Sequence, residues 1–193
     1  MRQDWNDTRL WFMAAFGFLS GLPLPLSGFT LTQWLAEGSV PLGVIGLTAN
    51  IGLAYTLKFL WSPLLDQAPP LGALGRRRGW LAVVQPLLCL AAVALALGNP
   101  ATRPGATFAA AAAVAFLSAT QDVAIDAWRI ETFTPAEQGT ALAGYVMGYR
   151  VAMLTSGAGV IWSATHLGWH GALLCIAVLL GLGVLVTLAA PEP

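Results

Sequence analysis

The stretch from residue 105 to residue 128 reads GATFAAAAAVAFLSATQDVAIDAW and decides the fold class. It is almost continuously apolar over about 20 residues, the length that crosses a bilayer as a helix. Its alanine run favours helix, and its side chains do not alternate as those of a lipid-facing strand would. We therefore expect a transmembrane helix that carries two acidic residues, Asp122 and Asp126, near one end.

The composition of the whole chain agrees with a membrane protein. Of its 193 residues, 57% are hydrophobic and only 9% are charged, whereas a soluble domain carries roughly 25% charged residues. Acids and bases balance at nine each, so no polyanion-binding surface and no nucleic-acid partner are expected. Cys89 and Cys175 lie in apolar runs without metal or disulfide spacing, and no metal or cofactor is expected.

Six apolar stretches approach the spanning length, which predicts an all-α bundle over residues 1–193 with both chain ends on one side. The first is too long for the apolar core of a cleavable signal peptide. Between the fourth and fifth, Thr134-Pro135-Ala136-Glu137 reads as a capping box with proline in the first turn, so a helix should begin there. The predicted spans are 10–35, 42–65, 79–98, 105–128, 138–163 and 169–190.

The distribution of basic residues predicts the orientation. One set of loops and ends carries arginines 2, 9, 76, 77, 78 and 129, and the opposite set carries only Arg103. Because cytoplasmic loops are enriched in Lys and Arg, both termini should be cytoplasmic.

The two halves of the chain contain a weak internal repeat. Phe-Leu-Ser occurs in the first span at 18–20 and in the fourth at 116–118. A glycine precedes a base by six residues in the second span, at Lys58, and in the fifth, at Arg150. The matches pair spans 1 with 4, 2 with 5 and 3 with 6, as in the 3+3 inverted repeat that forms half of a major facilitator transporter.

Four ionisable residues lie inside predicted spans: Lys58, Asp122, Asp126 and Arg150. Each costs at least ~2.5–3.5 kcal/mol to insert, so such groups face the bundle interior and commonly serve function. Structural pairing of acids with bases is the alternative, particularly for Asp126, which has Arg129 three residues on.

Separate roles can be suggested for these groups. Arg150 suits carboxylate binding, Lys58 is an intermediate case, and Gln121 lies beside the two acids. Asp122 and Asp126 are the candidates for proton coupling, Asp122 first, because burial favours the neutral form of a carboxyl group.

A second charged pattern joins the second and third spans, where Asp66 is followed by a Gly/Pro loop and then by Arg76, Arg77 and Arg78. A plain positive-inside loop explains the arginines but not the acid at the helix end. The pattern resembles the signature loop of major facilitator proteins, which implies a gating latch between helices on the cytoplasmic side.

The first span contains Pro23 and Pro25 among glycines at 17, 21 and 28. Prolines break the helical hydrogen-bond ladder, so a bend in a cavity-lining helix is one expectation. Close helix packing through the glycines is the other.

Several segments together resemble the AmpG-type muropeptide permeases of the major facilitator superfamily. They are GFLSGLPL at 17–24, KFLWSPLLD at 58–66, GRRRGW at 75–80, SATQDVAIDAW at 118–128, GYR at 148–150 and APEP at 190–193. The resemblance implies proton-coupled uptake of anhydro-muropeptides across the inner membrane for cell-wall recycling. It also implies that Lys58, Gln121 and Arg150 meet the substrate, with Tyr149 able to stack on a sugar.

Such permeases have twelve or more helices, and the six spans here correspond to the N-terminal half. The resemblance therefore implies a further partner besides the lipid bilayer, the muropeptide and protons: either a C-terminal half or a second copy of this chain. A non-transporting membrane module and a permease for another solute, such as an acyl-CoA or a siderophore, stay open. An enzyme is not expected, because no nucleophilic or metal-binding set of residues is present in the sequence.

Overall fold

A computed structural model describes residues 7–67 and 70–193, and every regular element in these ranges is helical. Arg2 and Pro69 lie outside the described residues. We number the spans α1 to α6. The first four are α1, Thr8–Glu37; α2, Leu42–Leu60 with the continuation Ser62–Gln67; α3, Arg76–Ala96; and α4, Pro104–Thr132. The helices Gln138–Leu154 and Val160–Ala189 and the π turn Thr155–Gly159 form the rest, which Gly168 divides into α5 (138–167) and α6 (169–189).

Five helices in the described chain are long and apolar enough to cross a membrane. The fifth runs over Gln138–Ala189, which is 52 residues and about twice the length of one crossing. Gly168 interrupts it with φ 69° and ψ 166°, a conformation that glycine adopts without the penalty of a Cβ. The expected all-α, membrane-spanning fold class is therefore confirmed.

The ends of two helices differ from the predicted spans. The fourth helix continues beyond residue 128 to Thr132, so Arg129 and Glu131 belong to its last turns and not to a loop. The third begins at Arg76, so the three arginines form its first turn. The capping box forms as expected: Glu137 accepts hydrogen bonds from the Thr134 amide (2.9 Å) and hydroxyl (2.8 Å), which hold the Glu137 pKa below its usual range. Helix α5 then begins at Gln138.

The six spans run alternately up and down. Arg9 at the start of α1 contacts Thr132 and Glu137 at the end of α4 and the start of α5. At the opposite end, Trp169 at the start of α6 donates to Glu37 at the end of α1. We call the side of the chain ends the terminal side and the opposite side the far side.

Helix pairing follows the internal repeat. Helix α1 packs on α5, α2 packs on α4, and α3 packs on α6, while α3 also packs extensively on α4. In the internal repeat, α1 corresponds to α4, α2 to α5 and α3 to α6. The α1–α5 pair therefore corresponds to the α4–α2 pair, and the α3–α6 pair corresponds to itself. Because α1 starts on the terminal side and α4 on the far side, the repeat is inverted.

Glycines bring α1 and α5 into backbone contact. A Cβ placed on Gly17 would lie 2.1 Å from the Tyr145 carbonyl oxygen, and one on Gly148 would lie 2.0 Å from that of Ala14. Helix α1 is also broken, between Gly21 and Pro23 and again at Gly28. Both expectations for its glycines and prolines are therefore met in one helix: the glycines pack, and the chain bends beyond them.

The apolar core forms two clusters, one in each half of the bundle. The terminal-side cluster contains Phe16, Ile125 and Trp128, and the far-side cluster contains Leu26 and Leu88, among others. Between the two clusters lie buried polar side chains: Ser20 of α1, Gln85 of α3, and Ser118, Gln121 and Asp122 of α4. We call these five residues the polar layer, and it sets the place of the candidate site.

Candidate functional site

Asp122 lies in the polar layer with its carboxylate enclosed by three helices. Its side chain faces Ser20 of α1, Lys58 of α2 and Tyr145 of α5. One of its oxygens, Oδ1, is buried and makes no hydrogen bond of ordinary length among the described residues, although Ser20 lies beside the carboxylate. The position follows from the helical repeat, which puts Ser118 and Asp122 one turn apart on the inward face of α4.

Asp126 is held differently, in two long ion pairs. Its carboxylate lies 3.9 Å from Lys58 Nζ and 3.7 Å from an Arg129 guanidinium nitrogen. Its side chain is 46% exposed, whereas Asp122 as a whole is 8% exposed. The structure thus brings Lys58 together with both acids. It pairs Asp126, as the alternative expectation had it, and leaves an oxygen of Asp122 unpaired.

Gln121 is fully buried in the polar layer, and neither its Oε1 nor its Nε2 has a partner among the described residues. Three tyrosines surround this region. Tyr145 and Tyr149 of α5 lie with ring centroids 5.9 Å apart, and Tyr55 of α2 lies beside Ser118. All three are half-buried, and helix packing accounts for part of their contact area, since Gly17 and Gly21 pack against Tyr145 and Tyr149.

Arg150 is exposed on the outer face of α5. In the ranges 7–67 and 70–193 it makes no ion pair and no side-chain hydrogen bond. A guanidinium in the middle of a spanning helix is costly to insert without a partner. Arg150 is therefore available to a ligand or to a second protein surface.

The residues expected to form a gating latch make a compact cluster on the terminal side. Arg77 donates a hydrogen bond to Asp66 at 2.8 Å and one to each carboxylate oxygen of Glu131, at 2.6 and 3.0 Å. Arg76 adds a 3.2 Å contact to Glu131. These bonds join the ends of α2 and α4 to the start of α3, and the Arg77 side chain is only 6% exposed. Arg78 instead donates to the carbonyls of Thr187 and Leu188 in α6.

Sequence reasoning missed Glu131 and Glu192. The carboxylate of Glu192 accepts the backbone amides of Arg77 and Arg78, both at 2.9 Å. It thereby caps the positive end of α3, which the three arginines would otherwise make unfavourable. The signal for Glu131 was present, since helices often extend a turn beyond the apolar residues, but nothing in the sequence placed Glu192 beside α3.

A groove of about 420 Å³ opens between α1 and α2 in the far-side half of the bundle. The break in α1 at Gly28 and the 3₁₀ turn of α2 at Leu47–Gly52 leave this space. Its polar lining consists of Ser27, Thr32, Thr48 and Tyr55. Tyr55 therefore lies between the groove and the polar layer.

Helices α2 and α5 leave apolar faces uncovered. In the apolar 18-residue segment of α2, only 17% of the residues are buried inside the bundle. The corresponding share is 50% in α3 and in α4. Large exposed side chains on these two helices include Leu53, Leu57, Phe59, Leu60, Val146, Met147, Val151 and Leu154. Each of these two helices thus has an apolar face that the rest of the bundle leaves uncovered.

The comparisons with known proteins bear out the family resemblance. The chain is 44% identical over 179 residues, 92% of its length, to the anhydromuropeptide permease of Escherichia coli K12. It is 35% identical over 97% of its length to "putative transporter AmpG 4" of Rickettsia felis, and 37% identical over 96% to an uncharacterized protein of Haemophilus influenzae. No family model matches the chain.

The chain spans less than half the length of these relatives. The matched part is 36% of the Escherichia coli protein, 46% of the Rickettsia felis protein and 44% of the Haemophilus influenzae protein. The identity therefore covers nearly all of this chain and a minor part of each relative.

Proposed function

We propose that this chain, whose sequence is similar to part of the AmpG-type permeases, forms one six-helix half of a proton-coupled importer of anhydro-muropeptides. Its place would be the bacterial inner membrane, with both termini cytoplasmic, and its product would enter cell-wall recycling. The terminal side is then cytoplasmic and the far side periplasmic. The second half would be a C-terminal six-helix bundle or another copy of this chain.

The buried Asp122 carboxylate is the observation that carries the proposal. A transporter driven by protons needs a group inside the membrane that exchanges a proton and senses the substrate or its counter-charge. Asp122 lies in the polar layer beside Lys58 and has an unpaired oxygen. When Asp122 is ionised it attracts Lys58, and when it is protonated Lys58 is left to Asp126, so protonation changes the contacts between α2 and α4.

Substrate recognition is assigned to the groups expected from the sequence. An anhydro-muropeptide carries carboxylates, hydroxyls and sugar rings. Arg150 and Lys58 would meet carboxylates, Gln121 hydroxyls or amides, and Tyr149 a sugar face. The exposed, unpaired Arg150 on α5 supports this assignment best, since a second half packed beside α2 and α5 would enclose it in a cavity.

The terminal-side cluster of Asp66, Arg76, Arg77 and Glu131 is proposed as the cytoplasmic gate, with Arg78 tying α3 to α6. Its bonds link three helix ends, so opening that side of the bundle requires them to break. Glu192 would position Arg77 for this role, because its carboxylate accepts a hydrogen bond from the Arg77 backbone amide.

The test is uptake of labelled anhydro-muropeptide into proteoliposomes under an inward proton gradient. This chain alone is compared with the chain together with a separately expressed second half. Uptake that needs both halves and collapses with an uncoupler supports the proposal. Uptake by the chain alone makes the second copy the partner. If neither preparation takes up label although both insert stably, the non-transporting module replaces the transporter.

A further inference from the structure

We propose that a hydrated path for protons leads from the groove between α1 and α2, past Tyr55 and Ser118, to Asp122. The inference rests on the proposed proton coupling and specifies the residues that lead the proton from the far side to Asp122. It also gives Tyr55 and Ser118 positioning roles that the family resemblance does not supply.

The path begins at the groove, which lies in the far-side half of the membrane. Ser27, Thr48 and Tyr55 line it. The Tyr55 hydroxyl lies 3.5 Å from Ser27 Oγ on one side and next to Ser118 on the other. Tyr55 thus connects the groove to the polar layer with a group that both donates and accepts.

Ser118 continues the path along α4. It is completely buried, and its Oγ makes no hydrogen bond of ordinary length in the described chain, although the Tyr55 side chain lies beside it. Asp122 follows one helical turn later on the same face, about 5–6 Å away by helix geometry. That separation is between the Cβ atoms, and because Ser118 Oγ and Asp122 Oδ1 are not hydrogen-bonded to each other, one water can bridge them.

The other unpartnered atoms of the polar layer favour water over a metal ion. Ser20 Oγ, Asp122 Oδ1 and both polar atoms of Gln121 make no hydrogen bond of ordinary length among the described residues, although Ser20 lies beside Asp122 and Tyr145. A buried water makes roughly 2–4 hydrogen bonds and can both donate and accept. A cation would satisfy the oxygens only, and it would leave the Gln121 Nε2 donor unpaired and lie close to the positive charge of Lys58.

The charges around Asp122 favour entry from the far side. The groups that face it are Lys58 and Tyr55 of α2, Tyr145 and Tyr149 of α5, and Asp126 of its own helix. Toward the terminal side, Asp126 is paired with Lys58 and Arg129. Two cations stand between Asp122 and that side, whereas the groove side offers neutral hydroxyls.

Water access can be measured without transport. In the full chain with Cys89 and Cys175 changed to alanine, single cysteines are placed at Ser118 and at its neighbour Ala119. Both positions are 0% exposed, so they form a matched pair. Membrane vesicles are treated with Ag⁺ from each side in turn, and the remaining free thiols are counted by mass spectrometry after denaturation.

We expect Ser118→Cys to react severalfold faster than Ala119→Cys, and only from the side on which an Arg103→Cys marker reacts. Equal, slow reaction of the two cysteines would overturn the path. Reaction of Ser118→Cys from the side of a Thr134→Cys marker would overturn its direction.

Proton transfer is then tested in the two-half assembly with Tyr55→Phe, with Tyr145→Phe as the control. Both changes remove one hydroxyl near Asp122, but only Tyr55 lines the groove. Tyr55→Phe should slow proton-driven uptake severalfold while leaving substrate exchange without a gradient unchanged, and equal effects of the two variants would contradict its role. If the unmodified assembly shows no uptake while the Ser118 and Ala119 cysteines still differ, the proposed function fails and the water path stands.

Discussion

At the scale of single residues, Asp122 and Arg77 are the two to compare, because both are ionisable and both are buried. Asp122 lies among unpaired polar atoms, whereas Arg77 has all of its guanidinium nitrogens bonded to carboxylates. An unpaired buried charge is costly, so it persists where function needs it. A fully paired one can serve structure alone.

Replacing Asp122 by asparagine should abolish proton-driven uptake by the two-half assembly while preserving substrate exchange across liposomes without a gradient. Asparagine keeps the size and the hydrogen-bonding oxygen but cannot exchange a proton. Uptake and exchange of labelled anhydro-muropeptide measure the two activities. Arg103→Gln, on the far side, serves as the control, and retention of gradient-driven uptake by Asp122→Asn would remove this residue from the coupling mechanism.

Replacing Arg77 by glutamine should lower the free energy of unfolding by about 1.5–3 kcal/mol, because a buried guanidinium loses its hydrogen bonds to two partly exposed carboxylates. The neighbouring Arg76→Gln provides a matched control and should cost at most about 1 kcal/mol, since exposed ion pairs contribute little. The Arg76 side chain is 45% exposed, compared with 6% for Arg77. Denaturant titration in detergent micelles measures both, and similar losses would show that the arginines contribute equally.

The sequence predicted these residues unevenly. Asp122, Lys58 and Arg77 stand out because charges are rare in this chain, and a charge inside an apolar run has few interpretations. Glu192 did not, because its contact with α3 bridges 115 residues and depends on how α6 packs on α3. Which of the two adjacent acids is paired also depends on the rotation of α4, which spacing alone does not give.

At the scale of the helices, the contact between α1 and α5 sets the geometry of the bundle. Gly148 should not tolerate alanine, because the added methyl would lie 2.0 Å from the Ala14 carbonyl oxygen. Overpacking of this kind costs about 1–3 kcal/mol. We therefore expect Gly148→Ala to lower the thermal unfolding midpoint of the purified chain.

Gly144 is the matched control for this change, since it is one turn earlier in α5 and its nearest neighbour to an added Cβ is 3.7 Å away. Alanine there should be neutral or stabilising by up to about 1 kcal/mol, through helix propensity. Equal midpoints for the two variants would mean that α1 and α5 are not in backbone contact.

The positions of the helices were predictable within a few residues from apolar length, but their internal breaks were only partly so. Proline and glycine residues predicted the interruptions of α1. The π turn after Leu154 contains Gly157 and Gly159, and the first 3₁₀ turn of α2 follows Gly46 and ends at Gly52. With 21 glycines in the chain, however, these did not single out the positions. Such turns reflect packing between helices and not local residue preference.

At the scale of the whole molecule, the uncovered apolar faces of α2 and α5 predict where a second half docks. A single cysteine at Met147 of α5, which is 72% exposed, should cross-link to a cysteine-bearing second half in co-expressing membranes. Val178 of α6 is similarly exposed at 63% and is the control position. We expect a cross-linked product from Met147→Cys and little from Val178→Cys, and the reverse pattern would place the interface on α6.

Backbone contact between α1 and α5 also limits how such a molecule can move. In α1 and α5 the glycines of one helix lie against backbone carbonyls of the other. If one helix slid along the other, a larger side chain would move into the place of a glycine and collide with a carbonyl. Neither helix can slide along its axis without the other, so α1 and α5 move as one rigid body. Any alternation of access in the complete assembly must therefore swing α1 and α5 together, with the yielding parts confined to the broken half of α1 and to the loosely held α2.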